Sequence, residues 1–343
     1  MSYYVHTPYF FANVTDKSFE ATTFGRIFVC NHILSSASGL ILFPIVFYMV
    51  IFKSPSSLSS FRKILMITHS FDLLDWLIYS FGLVRLRFVN NVGLLSFSGP
   101  ITFFSFDIQL IGHCLNIGAI SIPFVTLPLP LWYRDHILRY GTPSNWSLVQ
   151  FISVIFALLF SAVFLSTLAV LKADRSIDYG RLWYQELPIP PLAVLDSQQS
   201  SLVFISSSYA KSLFVGGFLV AVFIACRSYC FLKQKATEVN QSRCMDQYTR
   251  LVFINMLIPT LGLFVPLTVT LISTSFEADD QVTQNLLIFI LAWIPSINSI
   301  TTLIFIVPYR QAIVYKLKQI AGHEPQSSVS VNPISKFHAK TLM

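Results

Sequence analysis

The chain of 343 residues is 54% hydrophobic and 11% charged, against the roughly 25% charged residues of a soluble domain, which excludes a water-soluble globular protein and predicts one that lives in a bilayer. Its formal charge of +7 has no dense basic run behind it, so it reads as loop charge that sets topology and not as a nucleic-acid footprint. Five cysteines, Cys30, Cys114, Cys226, Cys230 and Cys244, fall in or beside apolar segments, and no disulfide framework is indicated.

Residues 1–26 are mixed and polar, and Asn13-Val14-Thr15 matches the glycosylation sequon. No basic region followed by a short apolar core precedes the first long apolar stretch, so that stretch is expected to act as its own insertion signal. A hydrocarbon core of ~30 Å needs about 20 apolar residues as helix. Seven stretches meet that demand, at about 27–52, 64–84, 101–131, 147–171, 202–232, 251–275 and 283–307. The second carries Asp72 and Asp75. The third holds Pro123, Pro128 and Pro130, which predict a kinked or unwound inner end. The spacing predicts an all-α membrane protein, a bundle of seven helices over 27–308 with a tail at 309–343.

Loop charge sets the orientation. With the N-terminus outside, the cytoplasmic side holds fifteen Lys and Arg and the outside seven, while loop 276–282 carries Glu277, Asp279 and Asp280 and no base. Positive-inside bias therefore predicts N-out, C-in. The sequons at Asn145 and Asn240 then fall in the cytosol. A ligand-gated channel of the inverted seven-span kind needs the opposite orientation, and the absence of an internal repeat weighs against most transporters.

Seven helices with this orientation suggest a G-protein-coupled receptor, yet the rhodopsin-like signatures are missing. Span three lacks Asp-Arg-Tyr, span seven lacks Asn-Pro-x-x-Tyr, and no cysteine pair can link the top of span three to loop 172–201. A different set is present: Ser54-Pro55, Asp75, Gly99-Pro100, Tyr133-Arg134, Ile258-Pro259 with Pro266, Pro295-x-x-Asn298, and Pro308-Tyr309-Arg310-x-Ala312-Ile313. In order and placement this set resembles the nematode serpentine chemoreceptors, class delta (Srd) or a close relative in the Str superfamily. Ser299 departs from the pattern, standing where a proline is usual, which leaves Pro295 to bend span seven.

The resemblance implies a chemosensory receptor on sensory-neuron cilia, with a small-molecule or peptide ligand and a heterotrimeric G protein as partners. It implies no cofactor, no metal, no nucleic acid and no catalysis. Asp107 lies ~9 Å and Lys211 ~14 Å below the outer boundary. Each needs a partner or water at that depth, so both are expected at a ligand cavity or as a helix–helix ion pair, with Gln109 and Trp293 as further polar handles. Asp72 and Asp75 share a helix face, and Asp75, ~18 Å from the inner edge, is expected to serve a polar core with Asn298. A metal reading of His69, Asp72 and His113 is weak, because spans four to seven contain no histidine.

On the inner side, Tyr133, Arg134, Tyr309 and Arg310 are the candidate G-protein contacts. Arginine at an inner helix end is also an ordinary topology anchor. Pro259, Pro266 and Pro295 are the candidate hinges, since neighbouring helices re-satisfy the carbonyls that proline frees. The orientation makes the first test. Asn13→Gln should abolish a glycosidase-sensitive mass shift in the full-length chain, and modification at Asn145 or Asn240 instead would invert the topology.

Overall fold

The computed structural model describes residues 23–54, 58–82, 84–89, 92–97, 99–172, 193–196, 200–235 and 289–320. Span six at 251–275, with Pro259 and Pro266, lies outside the described residues, as do Asn13 and most of loop 227–250. Helix α1 covers Thr23–Phe52 and α2 Ser59–Gly82. A hairpin of β1 (Val84–Val89) and β2 (Val92–Phe97) follows, then a single 3-10 turn at Pro100–Phe103. Next come α3 (Phe106–Thr126), α4 (Pro128–Tyr140), α5 (Asn145–Lys172), the strand β3 (Ala193–Asp196) and α6 (Ser201–Lys235). The described chain closes with α7 (Ile294–Phe305) and α8 (Val307–Ile320).

Among the described residues, four stretches are long and apolar enough to cross a membrane: Arg26–Phe52, Asp107–Tyr140, Asn145–Leu171 and Ser201–Phe231. Phe289–Phe305 and Val307–Ile320 meet the same demand together, across a bend of 87°. The helix α2 is more polar, with His69, Asp72 and Asp75 within two turns. It is accordingly turned inward, packed against α1, α3 and α7. The helix α3 runs through the middle, touching α2, α5 and α6, and α4 continues its path along α6.

The proline-rich end of span three starts a new helix instead of ending one. Leu127 keeps helical dihedrals (φ −51°, ψ −41°) and Pro128 opens α4, at a position where a missing N–H removes no helical hydrogen bond. Helical backbone therefore continues to Tyr140 rather than stopping near 131. The span Asp107–Tyr140 has 34 residues, about 51 Å of helix, so its end stands clear of the hydrocarbon. In the last span the chain turns at Ala292–Trp293, just before Pro295, and breaks again at the extended Ile306 (φ −83°, ψ 102°), two residues before Pro308.

A three-stranded antiparallel sheet is an addition to the expected all-helical bundle. Val84 pairs with Phe97 and Val89 with Val92 in an antiparallel register. Leu95 of β2 then pairs with Ala193 of β3. Main-chain hydrogen bonds thus tie loop 172–201 to the connection between α2 and α3, the tether that no cysteine pair supplies. Gly99 returns the chain to α2 by donating its N–H to Gly82 O at 3.1 Å. A Cβ there would meet Phe81 O at 2.7 Å and Gly82 O at 2.8 Å.

The α3–α6 crossing is equally close. A Cβ on Gly217 would stand 2.4 Å from Phe124 O, a backbone atom held in its helix, whereas one on Gly216 meets nothing within 4 Å. Overpacking of this kind costs about 1–3 kcal/mol. Gly217→Ala should therefore lower the thermal unfolding temperature of the detergent-extracted protein, while Gly216→Ala leaves it unchanged.

Candidate functional site

Polar side chains link the helices at successive levels. Nearest the sheet, Trp293 Nε1 donates to Asn31 Oδ1 at 2.6 Å, and Asn31 Nδ2 donates to Phe289 O at 3.4 Å. Two turns further along α1, Ser38 Oγ and Ser296 Oγ are 2.8 Å apart. In α7, Asn298 and Thr302 are four residues apart and share a face; in α2, His69 and Asp72 do the same three apart. The two pairs close a ring. Asn298 Nδ2 donates to Asp72 Oδ1 at 3.0 Å, His69 Nδ1 lies 3.3 Å from Asp72 Oδ2, and His69 Nε2 lies 3.1 Å from Thr302 Oγ1.

One turn from that ring, Asp75 is buried, as are His113 and Asn116 of α3. Asp75 Oδ1, both ring nitrogens of His113, Asn116 Nδ2, Asn298 Oδ1 and Ser299 Oγ have no hydrogen-bond partner among the described residues. Buried polar atoms normally have partners, so hydrogen-bonding capacity remains in the middle of the bundle. The expected pairing of Asn298 is made one turn away, with Asp72 instead of Asp75.

The end opposite the sheet holds a second cluster. Asp135, 5% exposed, accepts from Arg139 Nε at 3.1 Å and Ser228 Oγ at 2.9 Å, and its other oxygen meets Arg227 Nη2 at 3.2 Å. Arg139 also donates to Arg227 O at 3.1 Å and lies over the Phe231 ring, 4.7 Å from its centroid. The ends of α4 and α6 are thus clamped by one carboxylate. Alongside, Ser54 Oγ and Tyr309 OH are 2.5 Å apart, joining the end of α1 to α8. Burial pushes the Tyr309 phenol above its usual range, opposed by the Ser54 hydrogen bond.

These levels lie inside a single matched region. Residues 28–315 match the family model described as serpentine type seven-transmembrane G-protein-coupled chemoreceptor Srd. The chain belongs to the Srd chemoreceptor family. Among curated proteins, none matches it. As an Srd family member it is a membrane-spanning receptor of the G-protein-coupled kind, and the family is not one of enzymes.

The predicted residues of this Srd receptor separate into groups. Gln109 is buried and donates to Phe104 O at 3.0 Å, clamping the 3-10 turn onto α3. Trp293 commits its N–H to Asn31. Asp107, in the first turn of α3, and Lys211 are exposed, and no ion pair joins them among the described residues. Tyr133, Arg134 and Tyr309 are buried while Arg310 is exposed. No group of three or more His, Cys, Asp or Glu among the described residues stands where it could hold a metal. The residues that carry the resemblance do not include Asn31, His69, Thr302 or Asp135. Of these, Asp135 left a local trace in its four-residue spacing from Arg139 and His69 in its three-residue spacing from Asp72, whereas Asn31 and Thr302 left none.

The ring between α2 and α7 predicts coupling. Interhelical polar contacts inside membranes contribute about 0.6 kcal/mol on average and up to about 1.7. Asp72→Ala, Asn298→Ala and the double variant, compared by thermal unfolding in detergent, should be non-additive by an amount in that range. Additive losses would mean the contact carries no energy.

Proposed function

We propose that this Srd receptor binds a small chemical cue, a small molecule or short peptide, in the half of the bundle nearer the sheet, and activates a heterotrimeric G protein at the opposite end. The N-terminus then lies outside and the 309–343 tail in the cytoplasm, at the cell membrane and, by family resemblance, on sensory cilia. The observation that carries the reading is the family match along the bundle. The geometry supports it by separating two polar regions, one in the bundle and one at its far end.

In this reading Asp107 and Lys211 recognise charge on the ligand, since Gln109 and Trp293 spend their donors on the protein itself. Asp72, Asp75 and Asn298 form the polar core through which occupancy is felt. Pro295 lets α7 bend where its helix is already interrupted, and Pro259 and Pro266 do the same for span six. At the far end the Asp135 clamp holds α4 against α6 at rest. Its release exposes Arg134 and Tyr133, beside Tyr309 and Arg310, to the G protein.

A ligand screen in heterologous cells with a calcium or cyclic-nucleotide readout tests this. Asp107→Asn and Lys211→Glu should each raise the half-effective concentration at least about tenfold with surface delivery intact, the cost of one charged contact near 1.4 kcal/mol. Arg134→Ala should abolish the response while leaving ligand binding in place. Unchanged potency in both ligand-site variants would remove them from the binding site, and a full response from Arg134→Ala would remove it from coupling.

A further inference from the structure

Cys226 and Cys230 stand one turn apart near the end of α6, and both are exposed. They continue a stripe of exposed apolar side chains, Leu219 at 59% and Phe223 at 66%, because positions 219, 223, 226 and 230 recur on one helix face. The other face of this segment is committed inward, with Ala221 fully buried and Ser228 donating to Asp135. Both thiols therefore look away from the other described helices. At 1.5 Å per residue they lie about 38 and 44 Å along α6 from Ser201. That is beyond a hydrocarbon core of about 30 Å and level with the headgroups. The apolar span closes at Phe231 and Lys233 and Lys235 follow, charges that attract anionic headgroups.

A lipid-facing thiol at the membrane surface is placed to take an acyl chain. We propose that Cys226 and Cys230 form a paired S-acylation site, supplied by a long-chain acyl-coenzyme A thioester. Sγ attacks the thioester carbonyl, a new sulfur–carbon bond forms, the bond from that carbon to the coenzyme sulfur breaks, and the proton leaves with the coenzyme thiol. No oxidation or reduction is involved. The attached chains lie along Phe223 and Leu219 and hold the end of α6, which carries Arg227 of the Asp135 clamp, at the bilayer. The assignment rests on the orientation proposed above, with this end in the cytoplasm.

Acyl exchange on the full-length protein in cultured cells tests it. Free thiols are blocked, thioesters are cleaved with neutral hydroxylamine, and the freed thiols receive a mass tag. Wild type should gain two tag increments, C226S and C230S one each, and the double variant none. An untagged wild type, or tagging that survives in the double variant, overturns the proposal. If the double variant fails to reach the surface, the single variants decide by the loss of one increment each. An impermeant maleimide reports orientation separately. Labelling of intact cells that disappears in the double variant overturns the orientation and the site together. Labelling only after permeabilisation, without hydroxylamine dependence, overturns acylation alone.

Discussion

A carboxylate inside a bilayer has to be answered by the protein, and Asp72 shows how much follows from that demand. A charged group at mid-membrane costs about 2.5–3.5 kcal/mol on insertion scales, and α2 carries two carboxylates and a histidine within two turns. The helix can be placed only with that face inward. Leu74, Leu77 and Phe81 are consequently left at 41%, 50% and 42% exposure on the opposite side. Once α2 is rotated this way, Asn298 and Thr302 must stand where they meet Asp72 and His69. That fixes the rotation of α7 as well.

The other helices are registered by the same kind of contact. Lipid is as apolar as the side chains it touches, so burial of apolar surface does little to choose one helix packing over another. Short hydroxyl and amide links do the choosing: Ser38 with Ser296, Asn31 with Trp293, Ser161 with Tyr209 at 2.5 Å, and Ser54 with Tyr309. Three of these four join α1 to the last span or to α8. The segment α7 is only 12 residues long, with an interruption at each end. It is a short piece gripped by α1 and α2, with its helical backbone interrupted at Trp293 and Ile306.

The family and the long apolar helices among the described residues were legible in the sequence, because apolar length and the residues at span ends are local properties. Partners were not. Gln109 and Trp293 looked like ligand handles because each is a lone polar group in a half-apolar setting. Yet Gln109 serves the turn preceding its own helix, and Trp293 meets Asn31 across a separation of 262 residues. Depth arithmetic matched Asp75 to Asn298, but depth alone does not separate two carboxylates one turn apart, and it is Asp72 that Asn298 meets. Arg134 drew notice by resemblance, whereas the geometry centres on its neighbour Asp135, whose partners on α6 depend on a register no local pattern encodes. The strand β3 is four residues long and exists through its pairing with β2, so loop 172–201 offered nothing to read.

The two polar regions differ in how readily they can rearrange. In the ring His69 and Thr302 are buried while Asp72 and Asn298 are half-buried, so breaking it strands the buried polar atoms in a low dielectric at a cost of about 1–3 kcal/mol each. The Asp135 cluster lies on helix ends that outrun the hydrocarbon, and its Arg227 side chain is 43% exposed. There water can take up what the protein releases, and exposed ion pairs are weak. Under the function proposed above, a displacement that starts near the sheet is carried through the bundle with the central ring intact, and partners change where α4 and α6 leave the membrane. The rigid middle and the exchangeable end are the two properties that a receptor needs if occupancy at one face is to alter contacts at the other.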